Sequence, residues 1–154
     1  MSATQSIALR KPAPRLFGTA ALALSIVLAG CNTLAPQQSL FERMGGMPAV
    51  TAVADETISR AAADPRTTRS FEGIKLAALK ESLATQICRL AGGPCTYEGA
   101  SMRKAHSGLG ITDAEFDLMV AMLRDAVDHN GIGTAEKNQL LKLLAPMKRD
   151  VVGG

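Results

Sequence analysis

The chain has 154 residues, of which 47% are hydrophobic and 20% charged, a mix that suits one packed domain and excludes a disordered chain. Its net charge of +3 comes from Arg10, Lys11 and Arg15, in an N-terminal stretch with no acid; without them, 14 basic residues face 14 acidic ones. A neutral body carries no basic stripe, which excludes nucleic acid as a partner on electrostatic grounds. With no Trp and one Tyr, the core must be aliphatic, and Ala and Leu richness points to helices.

Residues 1–15 are polar and end basic, Leu16 to Leu28 is apolar, and Ala29-Gly30-Cys31 follows. A basic start, a short apolar run and small residues before a cleavage point follow the plan of a secretory signal. The run is shorter than the roughly 20 apolar residues of a membrane span; an uncleaved anchor helix is the alternative. Leu28-Ala-Gly-Cys31 resembles a bacterial lipoprotein box. The resemblance implies a signal peptide over residues 1–30, with Cys31 as an acylated first mature residue that anchors the protein to a membrane. Asn32 after the cysteine points weakly to onward sorting to an outer membrane, so the expected location is the cell envelope, on its periplasmic side. Residues 31–38 read as a tether.

Helix signals fill residues 39–152. Ser39-Leu-Phe-Glu42 and Thr112-Asp-Ala-Glu115 are capping boxes that mark helix starts. Gly45-Gly46 breaks the first short helix, and Pro48 suits the first turn of the next. That second helix carries Val50, Val53, Thr57 or Ile58, and Ala61 on one face, and stops near Asp64-Pro65. A third has Leu76, Leu79, Leu83, Ile87 and Leu90 at helical spacing and ends at Gly92-Gly-Pro94. A loop-like stretch follows around 92–105. From Thr112 the stripe is Phe116, Met119, Val120, Leu123 and Val127, ending before Asn130-Gly131. The last helix starts at Thr134, with Leu140, Leu141, Leu144, Met147 and Val151 inward. The class predicted is all-α, with five main helices.

Several segments share one further pattern: Leu40-Phe-Glu-Arg-Met-Gly-Gly46, Arg60-Ala-Ala-Ala-Asp-Pro65, Phe71-Glu-Gly73, Gly92-Gly-Pro94, Tyr97-Glu-Gly99 and Met102-Arg-Lys-Ala-His-Ser-Gly-Leu-Gly-Ile111. Together they resemble the group 1 truncated haemoglobins, over the whole of 39–152. The resemblance implies a two-over-two helical sandwich around haem b. Globin iron needs one neutral imidazole and an apolar slot. Of the two histidines, His106 lies among Met102, Ala105, Leu109 and Ile111, whereas His129 sits in polar Asp128-His129-Asn130. His106 is therefore the expected proximal ligand, its tautomer fixed by a backbone carbonyl near Met102. Phe71 matches the aromatic that packs flat on the haem. Leu76, Leu79 and Leu83 are expected on the distal side, and Phe116, Met119 and Val120 on the inner wall, with Met102 and Ile111 completing the pocket. Lys80 and Arg103 are the expected partners of the haem propionates.

The departures from that pattern bear on mechanism. Where many members have a Phe-Tyr pair this chain has Thr57 and Ile58; where a glutamine often assists it has Leu83; where some place a second histidine ligand it has Ser82. A hydrogen bond to a polar ligand contributes about 1.5–3 kcal/mol, so its loss speeds dissociation roughly ten- to a hundredfold. Fast oxygen release, easy oxidation and little discrimination against CO or NO are expected. Thr57 or Ser82 reaching inward is the reservation, with Lys80 or Met102 as less favoured sixth ligands.

Cys88 and Cys95 remain once Cys31 is acylated, an even pair in an exported protein. A disulfide is favoured, and a buried Cys88 with a loop thiol is the alternative. The leading function is binding of oxygen, NO or CO at haem iron, with any reductant supplied from outside. NO dioxygenation or peroxidase-like turnover is an enzymatic alternative. A haem-free or haem-carrying lipoprotein that acts as an interaction module is the other.

Overall fold

Ser39, in extended backbone, starts the first helix as its capping box requires. Its hydroxyl accepts from the Glu42 N–H at 3.2 Å, while its own N–H donates to Glu42 Oε2 at 2.8 Å. Such a cap stabilises a helix by about 1 kcal/mol. In this computed structural model residues 37–152 are described; the expected signal segment, Cys31 and residues 32–36 of the expected tether lie outside the described residues. Every regular element among the described residues is helical, and no helix among them is long and apolar enough to cross a membrane.

Helix α1 (Leu40–Arg43) leads at once into α2 (Gly46–Ala63). Gly45 makes that junction at φ +100°, a conformation L side chains rarely adopt. Helix α2 stops where the sequence predicts, because Pro65 disfavours helical backbone at Asp64, which is extended at ψ 125°. A 3₁₀ turn over Thr68–Phe71 links α2 to α3 (Leu76–Leu90). At the end of α3 the Gly92 N–H donates to Arg89 O and the Gly93 N–H to Cys88 O, the paired bonds of a Schellman motif. Helix α5 (Asp113–His129) starts on the Thr112–Glu115 capping box and ends in the same motif at Gly131 and Ile132.

Two features differ from the sequence expectation. The stretch around 92–105 is not all loop: it ends in α4 (Met102–His106), capped by the Ser101 hydroxyl. The last helix is not continuous. Helix α6 (Thr134–Leu144) gives way to a 3₁₀ turn over Ala145–Met147 before α7 (Lys148–Val151). Pro146 lies in that turn; lacking an N–H and crowding the preceding turn, it cannot continue an α-helix.

Helix α2 packs along α3 and across α5, α6 packs on α5, α3 and α1, and α4 packs on α7. Val50, Val53, Ile87, Ala126, Val127 and Leu140 form the centre of the core, each Val, Ile or Leu among them contributing about 1.5–3 kcal/mol when fully buried. Three long helices divide their apolar faces between this core and a cavity. Along α2, Val50, Val53 and Ala54 enter the core, while Thr57 and Ile58 face the cavity. Along α3 the halves are Ala84, Ile87 and Cys88 against Leu79 and Leu83; along α5 they are Ala126 and Val127 against Phe116, Met119 and Val120. Beside the core, Cys88 and Cys95 are joined as a disulfide, Cα atoms 5.9 Å apart. Gly93 packs so closely there that a Cβ would stand 2.6 Å from Cys88 Sγ and 2.7 Å from the Phe41 ring.

Candidate functional site

The cavity-facing halves of α2, α3 and α5 enclose about 320 Å³, within the roughly 300–1,000 Å³ usual for small-molecule and cofactor sites. Ile58, Leu79, Leu83, Met119 and Val120 make most of its wall aliphatic, and Phe71 and Phe116 add two aromatic rings. Helix α4, the 3₁₀ turn before α7 and Val151 contribute a further part, bringing in Met102, Ala105, His106 and Met147.

His106 stands on this wall, and its Nδ1 lies 2.8 Å from the carbonyl oxygen of Met102 one turn earlier. A carbonyl only accepts, so Nδ1 carries a proton, and in the neutral ring Nε2 keeps its lone pair. A neutral imidazole with one nitrogen anchored and the other free is the form a metal takes as ligand. His129 is arranged quite differently: two-thirds exposed, it lies 2.8 Å from Glu56 Oε1 on α2, and that contact together with Arg60 pulls the Glu56 carboxyl below its usual range.

The polar groups of the wall are mostly committed. Thr57 donates its hydroxyl proton to Val53 O and Thr67 to Ala61 O, each at 2.6 Å. Gln86 Nε2 reaches the sulfurs of Met102 and Met147, each at 3.4 Å, tying α3 to α4 and the last 3₁₀ turn. Glu115 is the anion of the wall. The Thr112 N–H, then the Arg69 guanidinium and the Thr112 hydroxyl, draw its pKa from the ordinary 4.5 down to about 2. Arg69 also donates to the carbonyls of Leu109 and Gly110 at 3.2 and 3.0 Å, which fastens the loop after His106 to the turn before Phe71. Ser70, next to both Arg69 and Phe71, has a buried Oγ without a hydrogen-bond partner among the described residues.

Of the residues singled out from the sequence, Thr57, Ile58, Phe71, Leu79, Leu83, Met102, His106, Ile111, Phe116 and Met119 meet at this cavity. Leu76, Lys80 and Arg103 do not. Leu76 is the first residue of α3 and stays half-buried away from the wall. Lys80 turns to Asp55 on α2, Nζ to Oδ1 2.7 Å, and Arg103 pairs with Asp150 on α7; local carboxylates hold the two cations expected for propionates. Residues not anticipated include Ser70, Gln86, Tyr97 and Glu115. Gln86 was readable in principle, as a polar residue seven positions after Leu79 on an apolar face. An aliphatic slot with an aromatic ring on its wall and one free imidazole lone pair fits the haem expected from the sequence.

Comparison with known proteins agrees. The family model described as bacterial-like globin matches residues 39–152. The chain is 30% identical over 116 residues to the group 1 truncated hemoglobin GlbN of Mycolicibacterium paratuberculosis, covering 75% of this chain and 85% of that protein. It is 29% identical to the protein of the same name from a Nostoc species, covering 71% and 93%. Among solved structures, the truncated hemoglobin of Tetrahymena pyriformis in its Fe(III) form superposes with a TM-score of 0.72 at 25% identity, over 76% of this chain and all of that one.

Proposed function

Since this chain belongs to the bacterial-like globins, as a group 1 truncated haemoglobin, we propose that it holds haem b on His106 and binds a diatomic gas. When bound, haem would supply an iron that His106 could ligate and that could bind a small gas. The observation that carries this reading is the Nδ1 bond of His106 to Met102 O, at the edge of an aliphatic cavity.

Each residue group has a task in this reading. Met102 O holds the imidazole in the tautomer that presents Nε2, and Gln86 steadies Met102 through its sulfur. Phe71, Leu79, Leu83 and Met119 would keep water from the slot and offer the macrocycle an apolar surface. On the α2 side Ile58 has no donor, and the Thr57 proton is already given to Val53 O. A polar ligand therefore gains little from the long helices, and fast oxygen release follows. In this reading re-reduction of the iron is assigned to an external reductant.

The protein is further proposed to be exported and lipid-anchored through Cys31. Support comes from the lipoprotein-like Leu28-Ala-Gly-Cys31 segment and from the Cys88–Cys95 disulfide, a bond that persists in oxidising compartments. Titration of the purified chain with haemin tests the central claim. One equivalent taken up with a sharp Soret band is expected; absence of stoichiometric uptake would favour an interaction module on a globin scaffold.

A further inference from the structure

Helix α4 carries His106 but does little to hold itself in place. It has five residues, none of them buried, and the backbone turns extended at Ser107, straight after the imidazole. The loop that follows is loosely packed. A Cβ added at Gly108 or Gly110 would meet no atom beyond its chain neighbours within 4 Å, and the Leu109 side chain between them is 37% exposed. The Ser101 cap and the contacts of Met102 and Arg103 grip the first half of α4. On the His106 side the grip comes from Arg69. Its Nη1 donates to Leu109 O at 3.2 Å and its Nη2 to Gly110 O at 3.0 Å. The Leu109 N–H in turn donates back to His106 O at 3.2 Å, so a loop held at Leu109 holds the residue that bears the imidazole.

From this we infer that Arg69 is a positioning residue for His106: acting through Leu109 and Gly110, it keeps the imidazole where Nε2 can meet the iron of a bound haem. The inference rests on the haem reading above. A functional side chain has to be held to within about 0.5 Å of its working place, and a short helix with no buried residue cannot do that alone. Two successive carbonyls suit the planar guanidinium fork, whose N–H groups point in fixed directions; a lysine ammonium on its flexible stem does not reproduce that grip. The fork is itself fixed from behind. Its Nη2 also donates to Glu115 Oε2 at 2.6 Å, and that oxygen accepts from the Thr112 N–H at 2.9 Å and the Thr112 hydroxyl at 2.8 Å, the cap of α5. Helix α5 enters the core further along, at Ala126 and Val127. The position of His106 is thus referred, link by link, to the most firmly packed part of the molecule.

The test titrates the full chain and its Arg69→Gln and Arg69→Lys variants with two probes. Haemin needs both the apolar slot and the imidazole, whereas metal-free protoporphyrin IX needs the slot alone. Arg69→Gln should weaken haemin binding about tenfold and leave the affinity for protoporphyrin IX unchanged. Arg69→Lys should recover part of the loss, since an ammonium can still serve one carbonyl. Equal weakening towards both probes would mean that Arg69 merely shapes the slot, and no change towards either that the loop needs no such grip. Each of those results overturns the inference and leaves the haem reading standing. A wild-type chain that binds haemin no better than protoporphyrin IX, with His106→Ala making no difference, overturns both.

Discussion

The two sides of the cavity are built by different means. On one side are the long helices α2, α3 and α5, each continuous with the hydrophobic core: Val53, Ile87 and Ala126 are fully buried within a few residues of the cavity wall. On the other is α4, five residues between two loops, with no buried residue of its own. It is held by polar and sulfur contacts: the Ser101 cap, Gln86 on Met102, Arg103 on Asp150, and Arg69 on the carbonyls just beyond it. The long-helix side supplies shape and stability, whereas the α4 side supplies the one imidazole. Substitutions on the two sides should therefore fail in different ways.

The sharpest form of that contrast sets His106→Ala beside Ile87→Ala. Removal of His106 should abolish stable haem uptake and the Soret band, yet leave denaturant unfolding of the haem-free chain close to wild type, since the side chain is half-buried with one hydrogen bond. Ile87→Ala opens a hole in the core and should cost about 2–5 kcal/mol while keeping the iron ligand. Equal loss of stability in both variants would erase the distinction between the two sides. A smaller effect probes the donor-poor long helices. Ile58→Tyr or Leu83→Gln places a donor at the cavity and should slow oxygen release roughly ten- to a hundredfold. Stopped-flow measurement giving an unchanged off-rate would mean that a donor already serves the ligand.

The same contrast explains what could be read from the sequence. The long helices were legible because their apolar residues recur at helical spacing between strong stop signals: Pro65, Gly92-Gly93 and Asn130-Gly131. That Thr57 and Ile58 both face the cavity was half-legible, since the stripe allowed either. Helix α4 was hidden because five residues are too few to show a period, and the break at Pro146 because the apolar spacing runs on through it. His106 was found through a family resemblance and not through periodicity. Ser70 had no signal at all: that its hydroxyl is left without a partner among the described residues is something only the packed structure reveals.

The disulfide touches both sides, joining the last turn of α3 to the segment that leads to α4. Closing so short a loop should stabilise the fold by about 2–3 kcal/mol. Denaturant unfolding with and without a thiol reductant measures this directly. Haem uptake should survive reduction, because the wall residues on α2, α3 and α5 are positioned by the core. If reduction instead releases haem without shifting the unfolding midpoint, the disulfide serves α4 and not the long helices.

The smallest effect concerns Glu115, which, through Arg69, links the start of α5 to the 3₁₀ turn that carries Ser70 and Phe71. Its carboxyl is held at about 2 against an ordinary 4.5, so the folded protein binds the proton less readily than the unfolded chain. The stabilisation is accordingly complete above the ordinary pKa, drains away as pH falls from 4.5 towards 2, and is absent below. Because Arg69 is half-exposed, the ion pair is worth less than about 1 kcal/mol. Glu115→Gln should therefore narrow the stability gap between neutral pH and about pH 3, with wild type the more acid-sensitive protein. Parallel losses in both proteins over that range would show that Arg69 is held by the Leu109 and Gly110 carbonyls alone, and that the loop after His106 does not depend on the carboxylate.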